Sequence, residues 1–172
     1  WGVSRGLGDV YKRQILIDNM PFWAEFSSTP SNKTSLMNDW NYKIDAIINE
    51  TLNENVTSLA GVPSWMLVLL NKILEKSNKE YISEQWPNLE VYFHGGVSFK
   101  PYLNQYKSLI NSESMKYYEI YNASEGFFAI QYENDSNELL LMLDYGIFYE
   151  FISMKNYGTC LLYTSPSPRD TP

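Results

Sequence analysis

Two short polar turns hold the residues best suited to chemistry in this chain: His94-Gly95-Gly96-Val97-Ser98 and Tyr121-Asn122-Ala123-Ser124-Glu125-Gly126. Glu125 stands between Ser124 and Gly126, whereas the other acids mostly fall on helix-type faces or in loops. A carboxylate so placed can hold a magnesium ion, which takes a few protein oxygens and completes its shell with phosphate oxygens and water. Ser124 can hydrogen-bond the same phosphate. Glycines at 95 and 96 remove two Cβ atoms and let backbone approach a flat ligand, and Tyr121 can close the other side of an adenine ring. Spacing alone equally allows a solvated turn acid at Glu125 and an ordinary Gly-Gly turn. His94 is the only histidine. A general base needs a positioned partner and a pKa near the working pH, and the sequence shows neither, so His94 reads as a packing or supporting residue.

The elements that must position these turns follow from hydrophobic period. Leu89–Phe93 and Tyr117–Asn122 are strand-like runs, which places both turns at the carboxyl ends of neighbouring strands, where open α/β sheets bind ligands. Upstream, Trp40, Ile44, Ile47, Ile48 and Leu52 form one helical face, with Lys43 and Asp45 largely opposite and Asn38 or Asp39 as N-cap. Val56–Ala60 reads as a buried strand ended by Gly61, and Pro63 suits the first turn of the helix that follows. A shorter helical piece is expected around Glu80–Gln85, and a helix over Pro101–Ile110. Before these, 15–38 reads as irregular chain, with Met20-Pro21-Phe22-Trp23 as a hydrophobic anchor. Ser27–Thr34 is rich in hydroxyls but lacks the glycines of a phosphate loop. After Gly126 the pattern changes: Phe127–Tyr132, Leu139–Leu143 and Ile147–Ile152 are three strand-like runs, read as an antiparallel meander. The fold class is therefore α/β, with βα repeats leading into antiparallel strands.

The two ends differ from the rest. Ser4–Gln14 and Cys160–Asp170 match a translated transposase adaptor of the kind used in shotgun sequencing, so 1–14 and 160–172 are set aside as artefact. The remaining 15–159 is expected to be an internal fragment forming one partial domain. The whole chain carries a formal charge of −7. Without Arg5, Lys12, Arg13, Arg169, Asp9 and Asp170, nine basic side chains face eighteen acidic ones and no arginine remains. That balance argues against a nucleic-acid surface. Cys160, the single cysteine, falls in the set-aside end, which leaves no disulfide or thiolate chemistry. No apolar run approaches a membrane span, and a cytoplasmic setting is the default expectation.

Three runs together carry a family resemblance: Gly61-Val62-Pro63-Ser64-Trp65, the stretch Pro87–Phe99 around His94-Gly95-Gly96-Val97-Ser98, and Tyr121–Phe128. They resemble the auxin-responsive promoter (GH-three) family of acyl acid amido synthetases, in bacterial-type form. The plant form of the second turn reads Y-A-S-S-E; Tyr121, Ser124 and Glu125 match it, while Asn122 and Ala123 depart. Asp144–Phe151 also resembles the stretch that follows in bacterial members, so the likeness covers essentially all of 15–159.

The resemblance implies a fragment of the large N-terminal domain of an adenylate-forming enzyme, of the luciferase and acyl-CoA synthetase type. Such an enzyme uses ATP and Mg2+ to adenylate a carboxylic acid and passes the acyl group to an amine or amino acid. By position, Gly95, Gly96, Val97 and Ser98 would line the adenine and acyl pocket. Tyr121 would stack on or edge the adenine, with Asn122 and Ala123 beside it; Ser124 would bind the α-phosphate, and Glu125 would hold magnesium. Phe127 and Phe128 serve either as walls of the acyl pocket or as core aromatics. The family's phosphate-binding loop would precede Ile15 and its hinge and C-terminal domain would follow Thr159, so the polypeptide as given is expected to be inactive. Two other readings stay open: another adenylate former such as a CoA ligase, and a non-enzymatic nucleotide- or ligand-binding module.

Overall fold

The computed structural model describes residues 18–156 apart from 20, 124, 125, 134, 135 and 137. The chain divides into two compact units, the first ending at Met142 and the second beginning at Leu143.

The first unit opens with two short helices, α1 (Phe22–Phe26) and α2 (Asn32–Ser35). The expectation of irregular chain is corrected here, since each proline or serine cluster leaves room for one turn of helix. The side-chain oxygen of Ser31 caps α2 by accepting from the Thr34 N–H. Phe22 and Trp23 are 77% and 70% exposed, so they do not pack as the expected anchor; Met20 lies outside the described residues.

Helix α3 (Trp40–Thr51) starts where capping chemistry dictates: the Asp39 carboxylate accepts from the N–H groups of Asn41 and Tyr42. Its inward face carries Ile44 and Ile48. Lys43, expected on the outer face, is instead 5% exposed, and its ammonium donates to the Ser35 carbonyl. A long aliphatic stem lets a lysine cross apolar surface to reach such an acceptor. At the far end, Gln85 Nε2 and Trp86 Nε1 donate to the Leu52 and Thr51 carbonyls at 2.6 and 3.2 Å, satisfying acceptors that a helix terminus leaves free.

Two βα steps follow: β1 (Ser58–Gly61), α4 (Pro63–Ser77), the short α5 (Ile82–Gln85), β2 (Val91–His94), α6 (Leu103–Ile110) and β3 (Lys116–Ala123). Pro63 opens α4, where its missing N–H costs nothing. Strands β4 (Gly126–Gln131) and β5 (Leu139–Leu141) complete a five-stranded sheet of order β1-β2-β3-β4-β5. The first three strands pair in parallel, while β3, β4 and β5 pair antiparallel. The protein is thus mixed α/β.

Register decides which side chains face the helices. Gly61, His94 and Glu119 are lateral partners, as are Leu59, Tyr92 and Tyr117. Sequential parallel strands joined by right-handed crossovers put α4 and α6 on one side of the sheet, and these residues point there. Tyr92, Tyr106, Leu70, Ile73 and Ile110 are fully buried in the resulting core. The opposite side, with Val91, Phe93, Tyr118, Ile120 and Ile130, is half-buried.

The second unit is described over 143–156 and contains one turn of 3-10 helix, Met154–Asn156. The third expected strand, Ile147–Ile152, is absent from these described residues. Apolar side chains stand at both parities there, so no one face defines a register; Phe148 is 91% exposed, and Tyr149 stacks with Phe151 at 6.2 Å.

Candidate functional site

At the carboxyl ends of β1 and β2 the two following loops meet, against the flank of β3. Gly95 is the pivot. A Cβ built on it would lie 2.4 Å from the Ile120 carbonyl oxygen in β3 and 3.3 Å from Ile120 Cγ1. On its other flank, a Cβ on Gly96 would lie 3.6 Å from Val62 Cγ2, in the loop between β1 and α4. The turn after β2 is thus lodged between the loop after β1 and the strand that leads to Tyr121. Gly96 has φ +82°, a left-handed conformation that glycine adopts without strain.

Tyrosines fix the loop after β1. Tyr92 Oη donates to the Gly61 carbonyl at 2.9 Å, and Tyr106 Oη donates to the Pro63 carbonyl at 2.8 Å. The two hydroxyls stand 3.3 Å apart, and the rings stack at 5.0 Å and 18°. Each hydroxyl has a single proton, so with both carbonyls served the pair touches through oxygen atoms alone. Burial raises both phenol pKa values, and that of Tyr117 is pushed up to about 12 by the same cause. None of the three ionises at neutral pH. They act as braces.

Strand β2 reaches one residue further than expected, because His94 pairs laterally with both Gly61 and Glu119 and belongs to the strand. Its ring is 3% exposed and stacks on Phe99 at 4.0 Å and 20°. Burial holds its pKa down at about 4. Among the described residues its Nδ1 is the buried side-chain nitrogen or oxygen without a hydrogen-bond partner.

The second turn is placed differently from the expectation. Tyr121, Asn122 and Ala123 belong to β3, and Gly126 begins β4, with Ala123 and Gly126 paired. Since Glu119 is level with His94, β3 overhangs β2 by four residues, about 13 Å at the strand rise. Antiparallel pairing with β4 supports this overhang and carries β3 one residue past the strand end expected at Asn122. Ser124 and Glu125 lie outside the described residues. The Tyr121 ring is 57% exposed and lies 5.3 Å from Phe128 across a register shift. Gly96, Val97 and Ser98 are exposed, as are Asn122 and Ala123.

A cavity of about 640 Å³ lies on the helix side of the sheet and is lined by His94, Ser98, Lys107, Glu113, Glu119 and Gln131, among others. Only His94 and Ser98 of the residues singled out from the sequence border it; Gly95, Gly96, Val97, Tyr121, Asn122 and Ala123 do not. Glu119 and Gln131 were missed. Their signal was available as polar residues at helix-facing parity inside apolar strand runs. Gln131 is fully engaged: Oε1 accepts from the Glu119 N–H at 2.9 Å, and Nε2 donates to the Glu133 and Ser136 carbonyls at 2.9 and 2.7 Å. It holds the turn after β4.

The hydroxyl-rich stretch Ser27–Thr34 is not a phosphate loop in this fold. The Glu50 carboxylate takes its donors, accepting from the Ser31 N–H at 2.7 Å, the Ser31 hydroxyl at 3.1 Å and the Thr34 hydroxyl at 2.5 Å. Burial alone would raise the Glu50 pKa, but these bonds and nearby Lys33 outweigh it and leave it lowered. Among the described residues no group of three or more His, Cys, Asp or Glu side chains could hold a metal ion. Nor is any described helix long and apolar enough to cross a membrane.

No curated protein and no solved structure matches the chain. The family model described as the GH3 family N-terminal domain matches residues 13–115, more than half of the sequence. That span includes both loops that meet at Gly96 and the whole of His94–Ser98, and ends just before β3. With this match over α3 to α6 and the shared corner at the strand ends, the chain belongs to the GH3 family.

Proposed function

We propose that this chain is part of an ATP-dependent acyl acid amido synthetase, in which it supplies the nucleotide side of an adenylation site. The observation that carries the reading is the corner at Gly95: side-chain-free backbone pressed against Ile120, beside a half-exposed tyrosine ring at 121. A flat purine suits such a surface, because the backbone offers edge hydrogen bonds and the tyrosine offers a stacking face. Gly95, Gly96, Val97 and Ser98 would line the adenine and neighbouring acyl pocket, with Tyr121 against the base and Asn122 and Ala123 alongside. Ser124 would hydrogen-bond the α-phosphate. Glu125 would hold magnesium, which supplies charge neutralisation at the phosphate oxygens.

In the proposed reaction a carboxylate oxygen of the acyl acid attacks the α-phosphorus and pyrophosphate departs. The amine nitrogen of the acceptor, an amine or amino acid, then attacks the acyl carbon. AMP leaves with the bonding pair, and the amine loses a proton to solvent. The first step exchanges a poor leaving group for a good one, which the second step needs.

Pyrophosphate exchange into ATP, driven by a panel of carboxylic acids in a longer protein that contains this domain, tests the reading. Exchange that depends on acid, and that falls by at least about a hundredfold in Glu125→Gln, is expected, on the scale of losing a charge-stabilising contact. Normal exchange in that variant would sink the magnesium role. Transfer to CoA in place of amines would move the protein to the thiol-ligase class.

A further inference from the structure

The turn that would carry the nucleotide base is closed by two rings. His94 is the residue immediately before Gly95-Gly96-Val97-Ser98 and Phe99 the residue immediately after it; their centroids are 4.0 Å apart and nearly parallel at 20°. Both are buried, whereas Gly96, Val97 and Ser98 between them are exposed. Phe99 is in turn held by Tyr92, Tyr106 and Tyr117, with centroids at 5.8, 5.2 and 5.2 Å. Its carbonyl accepts from the Tyr102 and Leu103 N–H groups at 2.8 and 3.1 Å, so it also seats the start of α6. One ring stack therefore ties the end of β2, the turn and α6 together.

A histidine in this position is a costly choice, since its Nδ1 is buried without a partner, whereas a phenyl ring, larger but bordered by the cavity beside His94, carries no such penalty. What the ring demonstrably contributes is its face. We propose that His94 is a positioning residue: its stack on Phe99 closes the Gly95–Ser98 turn and sets the Gly95 and Gly96 backbone at the height where a flat base would lie. This rests on the nucleotide reading of the turn, but the clasp itself is measurable without nucleotide.

The test compares a longer protein that contains this domain with its His94→Phe and His94→Ala variants, reading hydrogen exchange of the 95–98 amides, thermal midpoint and MgATP titration. His94→Phe keeps a ring and loses the nitrogen; its turn protection and nucleotide response should match the unmodified chain, with a higher midpoint. His94→Ala should exchange at 95–98 about three- to tenfold faster, the scale of a lost aromatic pair, and bind MgATP more weakly by a similar factor. If alanine does not fold, His94→Leu replaces it as the ring-free variant. Unchanged exchange at 95–98 in the ring-free variant would overturn the clasp. So would a His94→Phe protein that behaves like the ring-free one, because the nitrogen and not the ring would then be at work. Faster turn exchange in the ring-free variant, with no MgATP response in any of the three, would uphold the clasp and remove the nucleotide reading.

Discussion

Gly95 and Ile120 sit so close that the carbonyl oxygen of the isoleucine occupies the place a Cβ at 95 would need, 2.4 Å away. That obstacle is backbone in the middle of a sheet, so it cannot swing aside as a side-chain tip would. Gly95→Ala must displace the turn, β3 or both. We expect a loss of about 1–3 kcal/mol in folding stability, the range for forcing extra volume into packed structure. Chemical denaturation checks it, and stability equal to the unmodified chain would show that the turn is not seated on β3.

Gly96 makes the complementary case. Space is available there, since Val62 Cγ2 at 3.6 Å is ordinary van der Waals contact, but φ is +82°. Gly96→Ala should cost about 1–2 kcal/mol through left-handed backbone strain alone. Gly96→Asn should cost less, because asparagine tolerates that region better. The order glycine, asparagine, alanine in thermal midpoint is the measurement; alanine at or above asparagine would contradict the strain account.

The contrast between these two glycines marks what could be read in the sequence and what could not. Asp39 as a cap, the Ile44 and Ile48 face and Pro63 at the head of its helix all follow from rules that act within four residues, and they stand in the structure. The parallel order of the strands was legible, but the corner it forms pairs the turn after β2 with the loop after β1, because β3 runs on past β2 and carries its own turn further along. Long-range effects were not legible. The strand expected to end at Asn122 is carried on to Ala123 by pairing with β4. Lys43 looked solvent-facing until its ammonium found the Ser35 carbonyl. At the site, the His94–Phe99 stack crosses a turn and leaves no periodic trace, and Ser124 and Glu125 lie outside the described residues.

His94 should make stability depend on pH in a specific direction. Its pKa is held near 4 in the folded protein, below the ordinary 6.5. Between those values the unfolded chain binds a proton that the folded one does not. Stability from this group is therefore full above about pH 6.5 and is lost as pH falls toward 4, by up to about 3 kcal/mol. Carboxylates titrate in the lower part of that window, so the informative quantity is the difference between the unmodified chain and His94→Phe from pH 7 to pH 5. The gap should widen in favour of phenylalanine as pH falls. A constant gap would mean that folding does not lower the affinity of the imidazole for a proton.

The tyrosine pair behind the site offers a test of how the loop after β1 is held. Tyr106 Oη serves the Pro63 carbonyl and abuts the Tyr92 hydroxyl, while Tyr92 serves Gly61. Tyr106→Phe keeps the ring stack but removes a buried hydrogen bond to the Pro63 carbonyl, which should cost about 0.5–1.5 kcal/mol. Tyr92→Phe removes the equivalent bond to Gly61. Because the hydroxyls touch, removing both should differ from the sum of the single losses by about 0.5 kcal/mol or more, the sign of coupled neighbours. A double-mutant cycle in denaturant measures it. Strict additivity would mean that the two hydroxyls anchor Gly61 and Pro63 independently, and the loop facing Gly96 would then be held at two separate points by two separate bonds.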